Sequence, residues 1–82
     1  MILKDVLNRM AADEWMTLCI QGNGQMCESS LDELGPTRVG LSQRAESPSL
    51  LVILLNEALA DGCHYMQVRR KDGGFVVRRL YK

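Results

Sequence analysis

HYMQVRRKDGGFVVRRLYK, residues 64–82, consists of two runs of alternating apolar and polar residues around Lys71-Asp72-Gly73-Gly74. Alternation sends successive side chains to opposite faces of a strand, and Asp-Gly favours the positive φ angles that a tight two-residue hairpin turn requires. The hairpin so read sets Val68 opposite Val77 and Arg70 opposite Phe75. Met66, Val68, Phe75 and Val77 then face a core, while Tyr65, Gln67, Arg69, Val76, Arg78 and Leu80 face outward. Arg70 and Lys71 project at the tip. Arg79 falls on the inward side near the open end, where it needs water or an acid.

Charge follows the same division. Residues 64–82 carry six basic side chains and one acid, a net +5, whereas residues 1–63 carry four and nine, a net −5. A chain neutral overall is thus strongly polarised. Clustered arginines beside a tyrosine suit either phosphate contact with base stacking or anchoring to a protein surface. The candidate contact residues are Tyr65, Arg69, Arg70, Lys71, Arg78, Arg79 and Lys82. A solvated face that blunts a β-edge, or pairing with the acidic remainder, would use the same charges differently.

Upstream, Leu3, Val6, Leu7 and Met10 recur at helical spacing, which predicts an amphipathic helix over residues 2–12. A strand-like run, 15–20, leads to Gly22-Asn23-Gly24-Gln25, and an Asn-Gly turn would return the chain through 26–31. That register places Met16, Leu18, Ile20, Cys27 and Leu31 on one face. It sets Cys19 opposite Glu28 and Cys27 opposite Ile20, so the two thiols point apart. With Cys63, an odd total of three and no CxxC spacing, three reduced thiols are expected, with no disulfide.

Residues 32–46, broken by Gly35-Pro36 and Gly40, read as a connection. Ser47 then caps a second helix, Pro48 opens it, and Asp61-Gly62 closes it. Leu50, Leu51, Leu54, Leu55, Ala58 and Leu59 fill half of its circumference, but Val52 lies at the margin and Ile53 beyond it. Those two are the candidate interface residues of a weak homodimer, unless the connection covers them or they stand in water.

The expected fold is α+β in a single domain, 1–82: two helices on one face of an antiparallel sheet formed by two β-hairpins. The units are 1–31 and 47–82, in the order αββ–αββ, joined by 32–46. Leu7-Asn8 and Ala12-Asp13 match Leu55-Asn56 and Ala60-Asp61 at a constant offset of 48, which points to an internal duplication. The alternative is winged-helix-like. The order helix, strand, connection, helix, hairpin resembles that family, and ALADGCHYMQVRRKDGGFVVRRL (58–80) is similar in pattern to its end, with a basic wing. The resemblance implies that SLLVILLNEALA (49–60) reads DNA, yet this segment carries almost no donors for base edges.

No catalytic residue, cofactor site or metal site is expected. Cys63 and His64 are adjacent and so would point to opposite faces of a strand; the serines have no paired histidine. Cysteines and histidine show no chelating spacing. The longest apolar run, Leu50–Leu55, is far shorter than a membrane span, and the first residues lack a signal-peptide pattern, which leads to a cytoplasmic expectation. The functional expectation is a small non-enzymatic binding or regulatory protein, an inhibitor or modulator of a protein partner. A nucleic-acid-binding module using the basic hairpin is the alternative.

Overall fold

The computed structural model describes residues 2–82 and places Leu18 and Met66 side by side near the middle of a five-stranded antiparallel sheet. In chain order the elements are α1 (Leu3–Arg9), β1 (Met16–Ile20), β2 (Met26–Ser29), α2 (Leu31–Leu34), β3 (Arg38–Ala45), α3 (Pro48–Ala60), β4 (Tyr65–Lys71) and β5 (Gly74–Tyr81). The strands lie in the order β2-β1-β4-β5-β3. The class is α+β.

One face of the sheet carries the main core. Met16, Leu18, Ile20, Ala45, Met66, Val68, Phe75 and Val77 point to it from the strands, Val6, Leu51, Leu55 and Ala58 meet them from α1 and α3, and Met10 joins them just beyond α1. The α3 helix begins where Ser47 Oγ accepts the Leu50 amide at 3.2 Å, with Pro48 at the first helical position, where its missing amide costs nothing. It ends at Asp61, with Gly62 at φ +83°. Arg79, on the inward face at the open end of the β4–β5 hairpin, reaches Asp61 Oδ2 at 2.9 Å. That hydrogen bond holds the guanidinium pKa above its ordinary value.

The structure differs from the sequence expectation in three places. First, the β1–β2 turn has three residues, not two. Gln21 pairs with Gln25, Asn23 Oδ1 accepts the Gln25 amide at 3.0 Å, and Gly24 takes the left-handed conformation at φ +86°. A slip of one residue exchanges the two faces of a strand. Met26 therefore turns toward the core, and Cys27 lies directly opposite Cys19 on the other face. The expectation that these thiols point apart is thereby corrected.

Second, residues 32–46 are not merely a connection. Ser30 caps α2, its Oγ accepting the Glu33 amide at 3.2 Å, while Ser29 Oγ donates to Glu33 Oε2 at 3.3 Å. Strand β3 then pairs along β5, with a bulge between Val39 and Ser42. Nor is the basic hairpin the peripheral wing of the winged-helix-like alternative, because β4 is the middle strand of the sheet. Third, α1 is shorter than the apolar spacing suggested, ending at Arg9 where Met10 turns to extended backbone.

Val52 and Ile53 stand exposed on α3, with Leu50 beside them; the 32–46 segment does not cover them. No helix among the described residues is long and apolar enough to cross a membrane. Leu18 and Met66 are fully buried at the centre of the core. Leu18→Ala should lower the unfolding free energy by about 3 kcal/mol in urea titration, in the range found for buried leucine truncations. A loss below about 1 kcal/mol would place the centre of the core elsewhere.

Candidate functional site

Strand β2 forms one edge of the sheet and β3 the other, so residues 30–37 must span its width, about 19 Å at the usual strand spacing. They cross on the face opposite α1 and α3. Ser30, Leu31 and Asp32 border a shallow hollow of about 420 Å³ that Thr17, Gln67 and Arg78 also line, and those three alternate with core residues along their strands. Leu34 and Leu80 are both buried, yet neither belongs to the helix-side core. This second face is therefore partly covered. Gln67 and Leu80 do turn away from the main core, but they are only 3% and 2% exposed instead of standing in water.

Three rows of side chains run across this face. The middle row, Ser29–Thr17–Gln67–Arg78–Ser42, touches all five strands. A buried amide needs partners, and Gln67 has them on both sides. Its Nε2 donates to Thr17 Oγ1 at 3.0 Å, and its Oε1 accepts from Arg78 Nε at 2.8 Å. One row away lie Arg69, Val76 and Arg44, with Trp15 opposite Arg69 when the β1–β4 register is continued by one residue. On the other side lie Cys27, Cys19, Tyr65, Leu80 and Val39.

Trp15 is the hub of the first of these. The Arg78 guanidinium carbon lies 3.9 Å from its ring centroid and that of Arg69 lies 5.5 Å away. Among the described residues neither arginine has a carboxylate within 4.0 Å. Burial, and then the charge of Arg69, push the Arg78 pKa down from its ordinary value. Arg69 Nε is buried without a hydrogen-bond partner. Two cations thus share one aromatic ring with no acid between them, although Asp32 lines the same hollow.

The structure gathers Tyr65, Arg69 and Arg78 on this face, with Lys82 Nζ 5.1 Å from the Tyr65 ring centroid. Arg70, Lys71 and Arg79 lie elsewhere. Arg70 donates to the Leu7 carbonyl at 2.9 Å and lies over Phe75. Lys71 is exposed at the hairpin tip, and Arg79 is held by Asp61. Trp15, Thr17, Gln67 and Arg44 join the assembly without having stood out in the sequence. Arg44 Nη1 and Nη2 donate to the Lys71 and Asp72 carbonyls at 3.0 and 2.9 Å, and its Nε reaches Glu46 at 2.7 Å, fastening the edge strand to the hairpin tip.

Cys63 is buried and donates to the Tyr65 and Leu80 carbonyls, whereas His64 is exposed with Nδ1 2.9 Å from the Ile20 carbonyl. Thiol and imidazole are engaged separately. No group of three or more His, Cys, Asp or Glu among the described residues is placed to hold a metal ion. Comparison with protein-family models, with curated proteins and with solved structures finds no match to this chain.

Because Arg69 combines a buried, unpartnered Nε with a like-charged neighbour, Arg69→Met should stabilise the fold by about 1 kcal/mol, keeping the aliphatic stem while removing the charge. An increased urea midpoint is the expected reading. A lower midpoint would mean that the cation on Trp15 contributes more to folding than its desolvation and repulsion cost.

Proposed function

We propose that this chain is a small non-enzymatic binding protein that regulates a protein partner by contact, through the face carrying Trp15, Arg69 and Arg78. The observation that carries this reading is the unneutralised arginine pair. Two cations held at one ring, one of them partly desolvated, cost stability that an acidic group of a partner would restore. Tryptophan and arginine, half-covered and surrounded by drier side chains, are also the types that dominate binding energy at protein interfaces.

Mixed charge around the hollow favours protein over nucleic acid. Asp32 lines it beside Arg78, and Glu33 belongs to the same crossing turn. A phosphate backbone brings only negative charge, so it meets repulsion there, whereas a protein surface can answer both signs. The two αββ units also fit a duplicated ancestry. With the offset of 48, Leu18 corresponds to Met66, and these two are direct partners in the β1–β4 ladder, as a twofold axis through the sheet requires.

Trp15 is the only tryptophan and sits at the centre of the proposed surface, so its fluorescence reports on binding. Titration with an acidic peptide of Glu and Leu should shift its emission saturably at physiological salt, while a single-stranded oligonucleotide should leave it unchanged. The Arg69→Ala/Arg78→Ala double variant should weaken the peptide by about tenfold or more, equivalent to at least 1.4 kcal/mol. Oligonucleotide binding whose affinity falls with salt at about −0.7 log units per phosphate would overturn the reading in favour of nucleic acid. Absence of any response would remove this face as a binding surface.

A further inference from the structure

Cys19 and Cys27 are direct register partners on neighbouring antiparallel strands and project from the same face. The Gln21 amide donates to the Gln25 carbonyl, and two residues further from the turn the same hydrogen-bonded phase recurs at Cys19 and Cys27. Such a pair has Cα atoms about 5.5 Å apart, inside the Cα span of disulfides, and its Cβ atoms, also about 5.5 Å apart, close by about 1 Å when the bond forms, a movement that an edge strand accommodates. Cys27 Sγ already points back across the ladder, donating to the Cys19 carbonyl at 3.7 Å. Cys27 is exposed on an edge strand, Cys19 is half-buried beside it, and Cys63 is buried on other partners.

We infer that Cys19 and Cys27 form a reversible redox modification site, a cross-strand dithiol that a peroxide converts to a disulfide. The exposed Cys27 thiolate attacks one peroxide oxygen, the O–O bond breaks, and the released hydroxide takes the thiol proton and leaves as water. Cys27 is then a sulfenic acid. Cys19 sulfur attacks the Cys27 sulfur, the S–S bond forms, the S–O bond breaks, and the second water departs with the Cys19 proton. Two thiols have lost two electrons and the peroxide has gained them.

The asymmetry of the pair sets the order of events. Burial, followed by the charge and hydrogen bond of Cys27, pushes the Cys19 thiol pKa up, which leaves the exposed Cys27 to react first with Cys19 beside it to resolve the oxidised sulfur. A bridge exposed on an edge strand is open to thiol reductants, which makes the modification reversible. The bridge would tie the edge strand β2 to β1 in the row next to Ser29 and Thr17. The site rests on the strand register alone and stands whether or not the Trp15 face binds a protein.

The test treats the full-length chain with a small excess of hydrogen peroxide, then denatures, alkylates and digests it with trypsin without reduction. Cys19 and Cys27 fall in one tryptic peptide, 10–38, and Cys63 in another, 45–69. The expected result is a 10–38 peptide that carries no alkyl group and is lighter by two hydrogens, beside an alkylated 45–69 peptide. Dithiothreitol should restore alkylation of both cysteines, and Cys19→Ser should leave Cys27 trapped as sulfenic acid or its further oxides. Full alkylation of all three thiols, a bridge to Cys63, or sulfinic acid on Cys27 with Cys19 still alkylated in the wild type would each overturn the proposal.

Discussion

Strands β2 and β3 follow one another in the chain but occupy opposite edges of the sheet, and that constraint organises everything on the second face. The connection has to cross strands that would otherwise face water. Side chains beneath it lose solvent, so the apolar ones must pack and the polar ones must find each other. Leu80 is buried for the first reason. Gln67, hydrogen-bonded to Thr17 and Arg78, meets the second. Once Gln67 Oε1 holds Arg78 Nε, the guanidinium is fixed against Trp15, and the cationic hollow has its shape.

A hairpin and a helix were readable because their signals are local. Asp72 and Gly73 both take positive φ, at 50° and 78°, as the Asp-Gly pair implied, and the register around them brings Val68 to Val77. Ser47-Pro48 and Asp61-Gly62 bracket α3 for equally local reasons, capping at one end and left-handed glycine at the other. Even the need of Arg79 for an acid could be seen from parity along the strand, although Asp61 as its partner could not.

What stayed hidden depends on strands distant in sequence. The β1–β2 loop could close over two residues or three, and Gly22 ahead of Asn23 leaves both open; Met26 offers the core more apolar surface than Cys27, which favours the three-residue form. β3 is interrupted by its bulge at Gly40, where an added Cβ would lie 2.9 Å from the Tyr81 ring, so the residue that breaks the strand pattern is the one that lets β3 pass β5. Trp15 looked like the start of a strand and nothing more. Its part in the site comes from β1 lying beside β4, a pairing that no short-range pattern encodes.

Whether the second face is ordered by its polar row can be measured at a single group, the Arg78 side-chain Nε–H. By nuclear magnetic resonance its proton should exchange slowly with water at neutral pH, because it is partly buried and donated to Gln67 Oε1. Gln67→Ala should release it into fast exchange while the resonances of Leu18 and Met66 stay in place. An Arg78 Nε–H that exchanges in the wild-type protein as fast as in an unstructured peptide would contradict the account, since the arginine would then be neither covered by the crossing segment nor held on Trp15.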